Sequence, residues 1–327
     1  MKYQDPMEIL FVKLGALGDV INTLPLAVNL KKNLDAKITW LVEPLSFSIV
    51  NGHPSVDRVI LFDKKNWKKS VFDVYKELRN GHFDITLDLQ RILKSAFFCM
   101  ASKGSRRIGF DKSRCKEMAW LFPFERIEPS DPGKHMVLNY LDFAKHLGVN
   151  SPEIRWDIPV TGEIPYNLPE RYIVLNIGAT KKANKWPEDN FSKLAEMIKS
   201  RFGIKGVITG GREDISSSNT ITANANDCLI NLAGNTTIPE LKEIIAGAEL
   251  VVSCDTGPMH LAVALNKPVI ALFGPSDPRR TGPLYGEVIQ KPLSCVPCNK
   301  RNCNDTKCMR EITPQDVFER MEAMWSA

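Results

Sequence analysis

The feature that most constrains this chain is an alternation of short apolar runs with helical patterns, which happens twice. In the first half the runs are EILFVK (8–13), KITWLV (37–42), RVILF (58–62), FDITLDL (83–89) and RRIGF (106–110). Helical spacing follows over 19–34, 69–80, 92–102 and 135–149. Repeated strand–helix alternation predicts a parallel sheet covered by helices. The pattern lapses over 150–170, where prolines are frequent and periodicity is lost, as in an interdomain linker. It resumes with RYIVLNIG (171–178), KGVITGG (205–211), CLINLAG (228–234), ELVVSCD (249–255) and PVIALFG (268–274), with helices at 187–202, 239–246 and 256–265. The expectation is an α/β protein of two Rossmann-like domains, 1–155 and 156–312. Ligands of such sheets bind beyond the carboxyl ends of the strands, so the cleft between the domains is the expected site. Residues 313–325 read as a last helix, with Thr313 as N-cap and Pro314 at its first position.

A length of 327 residues suits two domains, and 43% hydrophobic with 25% charged residues is the composition of a globular chain. No apolar run is long enough to span a bilayer, and the start, MKYQDPMEILFVK, lacks the apolar core of a signal peptide. The expected location is therefore cytoplasmic. A net charge of +5 is too small to argue for a nucleic-acid partner. The charge is uneven, however. Between Arg91 and Lys116 eight basic residues face one acid, Asp111, and KKNWKKS (64–70) places Trp67 inside a second basic knot. These segments read either as solvated faces or as surfaces for an anionic acceptor or an anionic membrane leaflet.

The loops after the strands hold the chemistry. FVKLGALGDVINTLP (11–25) has the outline of a phosphate-binding turn, but its glycines are spaced G-x-x-G, and Asp19 occupies the helix start where a phosphate would lie. The spacing weakens a dinucleotide reading, although Glu43 at the end of the second strand favours one. Asp19 reads as a helix N-cap that also faces the cleft as a base for a sugar hydroxyl. In CDTGPMHLA (254–262), Thr256 and Gly257 start a helix whose N–H groups suit a phosphate, with His260 one turn on. Lys181, Lys182 and Lys185 in GATKKANKWPEDNF (178–191) suit phosphates as well, and Glu213 in ITGGREDI (208–215) suits a ribose. The second half thus offers nucleotide-binding groups and the first offers a carboxylate.

KLGALGDVINTLP (13–25), NKWPEDNF (184–191) and CDTGPMHLAVAL (254–265) followed by VIALFGPSDPRRTGPLYG (269–286) resemble the ADP-heptose:lipopolysaccharide heptosyltransferases, glycosyltransferase family 9 enzymes of GT-B fold. The resemblance spans nearly the whole chain. It implies inverting, metal-independent transfer of heptose from ADP-heptose to the lipopolysaccharide inner core, more like the second heptosyltransferase than the first. It implies Asp19 as base and Thr180, Lys185, Glu213, Asp255, Thr256, Gly257 and His260 around the donor. Gly15, Ala16, Arg91 and Arg106 are the acceptor-side candidates. It also implies a last helix that crosses back to the first domain. Trp67 among lysines separately fits peripheral contact with the inner membrane. Another nucleotide-sugar donor and an NAD-dependent oxidoreductase are the alternatives.

Four of the eight cysteines, Cys295, Cys298, Cys303 and Cys308, are spaced C-x2-C-x4-C-x4-C. They could hold a structural zinc ion or an iron–sulfur cluster, or order a loop as thiols or disulfides. No cofactor is expected for catalysis.

Overall fold

The computed structural model describes residues 6–326. The first five residues of the expected first domain and the last residue of the chain lie outside the described residues. The chain separates into two compact units, one ending at Pro159 and the other beginning at Val160, four residues beyond the expected boundary.

The first unit is built on strands β1 (Met7–Val12), β2 (Ala36–Val42), β3 (Arg58–Leu61), β4 (Ile85–Asp88), β5 (Arg106–Gly109) and β6 (Glu125–Arg126). They form one sheet in the order β3-β2-β1-β4-β5-β6, and the pairings are parallel. Helices α1 (Leu17–Leu34), α2 (Pro44–Val50), α3 (Trp67–Asn80) and α4 (Leu93–Ala101) make the crossovers, and α5 (Met136–His146) follows the last strand. Helices on both faces bury the central strands on both sides, which is why β1 and β2 read as unbroken apolar runs without alternation. Ile9 to Val12 and Trp40 to Val42 are fully buried, and Phe11 meets Trp40 with ring centroids 5.1 Å apart. Each such side chain contributes about 1.5–3 kcal/mol through burial.

The second unit repeats the plan. Strands β7 (Tyr172–Asn176), β8 (Lys205–Thr209), β9 (Leu229–Asn231), β10 (Leu250–Cys254), β11 (Val269–Phe273) and β12 (Glu287–Gln290) lie in the order β12-β11-β10-β7-β8-β9. Counted from the first strand of each unit, the two orders are identical. Helices α6 (Glu188–Phe202), α7 (Ile215–Ala223), α8 (Ile238–Gly247), α9 (Gly257–Ala264), α10 (Pro278–Thr281), α11 (Lys307–Arg310) and α12 (Pro314–Ser326) complete it. Helix α12 opens as expected. Asp316 N–H donates to the Thr313 hydroxyl at 3.1 Å, and Thr313 N–H donates to the Asp316 carboxylate at 2.7 Å. This helix, expected to cross back to the first domain, falls within the second unit. It packs on α6 of its own unit, with Trp325 edge-on to Phe202 at 4.6 Å and Glu322 paired with Arg201. Its apolar face matches the α6 surface, so it is consumed there.

The proline-rich stretch is irregular but fastened. Glu153 is held through its main chain by Asn29 (2.7 and 2.9 Å), and His53 Nε2 meets the Trp156 carbonyl at 2.7 Å. Beyond the boundary, Thr161 and Gly162 N–H groups donate to the Glu243 carboxylate. Among the described residues no helix is long and apolar enough to cross a membrane.

Candidate active site

In a sheet of this strand order the connections reverse direction between the first and fourth strands, and ligands bind beyond the carboxyl ends of that pair. The reversal falls at β1/β4 in the first unit and at β7/β10 in the second. The loops that leave these four strands contain most of the residues singled out in the sequence.

In the first unit the chain leaves β1 at Lys13 and enters α1 at Leu17. The residue preceding the helix is Ala16, which has no side chain able to cap it, so the expectation that Asp19 is the N-cap is corrected. Asp19 sits in the first turn, where the helix dipole favours a negative charge. Its partner is Lys13, whose ammonium lies 3.4 Å from the Asp19 carboxylate. Lys13 is 1% exposed and Asp19 is 39% exposed, so the pair has a buried cation and an accessible anion. Burial opposes the charge of Lys13, but Asp19 and Tyr140 outweigh it and hold the lysine above its ordinary pKa. Lys13 was overlooked in the sequence. A lysine closing an apolar strand is costly unless paired, which was the available signal.

The β4 loop begins with Asp88, buried and with its pKa raised by that burial, which accepts N–H bonds from Gln90 and Arg91. This turn sends the Arg91 side chain inward, where it stacks on Phe110 at 5.2 Å and contributes to the field at Lys13. The structure thus gathers Gly15, Ala16, Asp19 and Arg91 at one edge. Arg106 is not among them. It opens β5 at the opposite edge of the sheet and forms a two-point pair with Glu125 at 2.7 and 3.0 Å. Glu43, the residue that favoured a dinucleotide, pairs with Lys94 at 2.8 Å.

In the second unit, Lys185 leaves the β7 loop and its ammonium lies 2.7 Å from Asp214, which is 1% exposed. Asp214 also accepts from Gly211 N–H at 3.1 Å and so ties the loops after β7 and β8 together. Glu213 folds over Gly211, where an added Cβ would stand 2.5 Å from its carboxylate oxygens. After β10, Thr256 precedes α9 and its hydroxyl makes no capping bond, while His260 is buried in the second turn. Asn184 donates to Asp255 at 3.1 Å and to Ser276 at 3.4 Å, and Lys181 reaches Ser276 at 3.2 Å. The Asn184 carbonyl oxygen is buried without a partner among the described residues. Thr180 is exposed on the same loop as Lys185. Lys185, Thr256 and Gly257 present positive charge and N–H groups, whereas Asp214, Asn184 and Ser276, which the sequence did not reveal, hold the loops that carry them.

The cysteine segment takes part indirectly. Among the described residues no three or more His, Cys, Asp or Glu side chains are grouped so as to hold a metal ion. Cys308 is buried, and burial, together with Cys295, Cys298 and Cys303 nearby, pushes its thiol pKa up. The segment is a brace: Asn299 N–H donates to the Pro275 carbonyl at 2.7 Å and Ala183 N–H to the Arg301 carbonyl at 3.2 Å. It thereby joins the loop after β11 to the loop bearing Lys185.

Two parallel sheets of the same strand order, one with an accessible carboxylate and the other with an accessible lysine at the matching edge, form the GT-B architecture of glycosyltransferases. Residues 71–309 match the model of glycosyltransferase family 9 (heptosyltransferase), and the chain belongs to that family. It is 27% identical to the lipopolysaccharide core heptosyltransferase OpsX of Haemophilus influenzae, over 98% of this chain and 97% of that protein. It is 29% identical to lipopolysaccharide heptosyltransferase 1 of Pseudomonas aeruginosa, over 97% and 98%. The solved structure of E. coli ADP-heptose LPS heptosyltransferase II superposes with a TM-score of 0.78 at 25% identity, covering 97% of this chain and 98% of that one. Relatives named as types 1, 2 and 3 are all found, so likeness does not select the second type.

Proposed function

We propose that this chain transfers heptose from ADP-heptose to a hydroxyl group of the lipopolysaccharide inner core, with inversion at the anomeric carbon and without a metal ion. The observation that carries this reading is the division of charge between two equivalent edges: Asp19 backed by buried Lys13 in one unit, and Lys185 on buried Asp214 beside Thr256 and Gly257 in the other. The solved heptosyltransferase WaaC with ADP has the same fold, which supports a nucleotide diphosphate as the donor's handle.

Asp19 accepts the proton of the acceptor hydroxyl as its oxygen attacks the anomeric carbon. ADP leaves from the opposite face, so the configuration inverts. Lys185 and the N-terminus of α9 meet the charge that develops on the departing pyrophosphate. One such contact commonly lowers a barrier by about 3 kcal/mol, and fixed protein charge of this kind supplies what a metal would otherwise supply. Glu213 accepts from the ribose, and Gly15, Ala16 and Arg91 line the acceptor side. The acceptor is lipid-anchored, so the enzyme works as a peripheral protein on the cytoplasmic face of the membrane that holds it.

The test is calorimetric binding of ADP-heptose, ADP, other nucleotide sugars and NAD, followed by NMR of the anomeric centre in the product. Tight binding of ADP-heptose, weakened by Lys185→Ala and indifferent to Asp19→Asn, supports the reading. Binding of NAD alone, or a product with retained configuration, overturns it.

A further inference from the structure

The first unit carries a surface that transfer chemistry does not use. Helix α4 exposes Leu93, Phe97 and Met100 at 47%, 52% and 37%, one stripe at helical spacing. Beside it, α3 begins with Trp67 exposed at 56% and continues with Phe72 at 68%. Between the two helices lies a cavity of about 540 Å³ with Phe62, Trp67, Val71, Phe97 and Phe98 as its walls, rimmed by Lys64 and Lys94. That volume falls within the range of small-molecule and lipid-chain sites. Exposed aromatic groups of this number on one face mark an interaction surface.

Charge identifies the partner. The net charge of +5 resides wholly in the first unit. Residues 1–159 hold 24 Lys and Arg against 19 Asp and Glu, and residues 160–327 hold 19 against 19. Lys64, Lys68 and Lys69, all exposed, form no ion pair among the described residues. The nearby Asp63 carboxylate is taken up by Asn66 and by the N–H of Lys65. A tryptophan and phenylalanines framed by lysines suit the boundary between headgroups and acyl chains of an anionic bilayer.

We propose that the α3–α4 face docks on a bilayer containing anionic phospholipid, with Lys64, Lys68 and Lys69 on the headgroup phosphates, Trp67 and Phe97 at the acyl boundary, and part of one acyl chain in the cavity. The position fits the task. Lys94 on the cavity rim pairs with Glu43, whose N–H donates to the Leu14 carbonyl at 2.8 Å, next to Gly15 in the loop that leads to Asp19. A bilayer held against this face brings a lipid-anchored saccharide to the carboxylate. The purpose rests on the transferase reading, but the docking itself does not require it.

The experiment is co-sedimentation of the full chain, without donor, with vesicles of phosphatidylcholine alone or mixed with phosphatidylglycerol. A second arm measures tryptophan quenching by phosphatidylglycerol brominated in its acyl chains. The wild type is expected on the mixed vesicles only. The triple variant Lys64→Glu, Lys68→Glu, Lys69→Glu loses about a hundred-fold in partitioning. Leu93→Ser with Phe97→Ser loses at least ten-fold, and Trp67→Phe removes most of the quenching. Thermal melts and transfer to a de-acylated, soluble acceptor stay unchanged in all three variants, which separates lost docking from lost folding or chemistry. Equal binding to both vesicle types, a triple variant that binds like the wild type, or quenching that persists in Trp67→Phe overturns the proposal. So does a wild type that ignores vesicles but forms dimers that Leu93→Ser with Phe97→Ser dissolves. Vesicle binding by a protein that transfers no heptose overturns the function and leaves the docking standing.

Discussion

The edges at β1/β4 and β7/β10 are the same place in the same topology, yet they treat charge in opposite ways. At β1/β4 the first helical turn already holds an anion, Asp19, backed by a cation removed from water. At β7/β10 the cation is the accessible partner: Lys185 is 37% exposed, whereas Asp214 behind it is 1% exposed. The roles of buried and exposed partner are exchanged. A buried partner fixes the position of the exposed one, and the exposed one determines what can bind. The lesson is that strand order marks the edge, while the sign of the accessible charge distinguishes one edge from the other.

Substitutions that remove one side of this contrast sharpen it. The largest effect is expected from Asp19→Asn: kcat falls by roughly 10³-fold, within the usual span for a lost base, while ADP affinity measured by calorimetry stays within about two-fold. A comparable loss of ADP affinity would merge the two half-sites and break the contrast. Next is Lys185→Ala, for which kcat/KM falls by about 10²-fold and ADP binding weakens with it. Asp214→Asn keeps the lysine but removes its anchor, and it lowers ADP affinity by about ten-fold. An unchanged affinity there shows that Lys185 positions itself. Gly274→Ala tests the brace. The new Cβ meets Met309 at 2.6 Å and Cys308 at 3.0 Å, with an expected loss of about 1–2 kcal/mol in thermal stability and a few-fold in ADP affinity, with kcat retained.

The smallest effect concerns acid and the first unit alone. His53 accepts the Ser55 N–H at Nδ1, and its Nε2 meets the Trp156 carbonyl, an arrangement that only the neutral ring satisfies on both sides. Burial holds its pKa below the ordinary 6.5 despite the carbonyl contact. The unfolded chain therefore binds the proton first, so this contribution is complete above about pH 6.5 and is lost as pH falls toward the folded-state pKa. Melts of wild type and His53→Gln at pH 8 and pH 5 are expected to diverge on acidification, with the wild type losing more stability between the two pH values.

Much of the fold was legible because both sheets are parallel and buried on two faces, which writes each strand as an apolar run bounded by turn residues. Helix ends moved by one to three residues, as at Leu17 for α1 and Trp67 for α3. The seven-residue α2 and the polar α7, ISSSNTITA, escaped notice because neither displays enough apolar periodicity. In the site, the residues visible in sequence were those in loops next to glycine, where a ligand approaches. Lys13, Asp214, Asn184 and Ser276 were not visible, because their roles come from partners 6, 29, 71 and 92 positions away. Arg106 failed for a different reason: a basic segment has no direction until the strand it opens is placed, and β5 points it to the far edge.

The brace formed by residues 295–308 extends this further. Through Asn299 and Arg301 it sets the spacing of the loop after β11 and the loop that bears Lys185. A peroxide that oxidises its exposed thiols, or drift in its sequence between lineages, would register as a change in donor grip although every donor-facing residue is intact. Inheritance can thus tune the enzyme from behind, through a segment that an inventory of ligand contacts would omit.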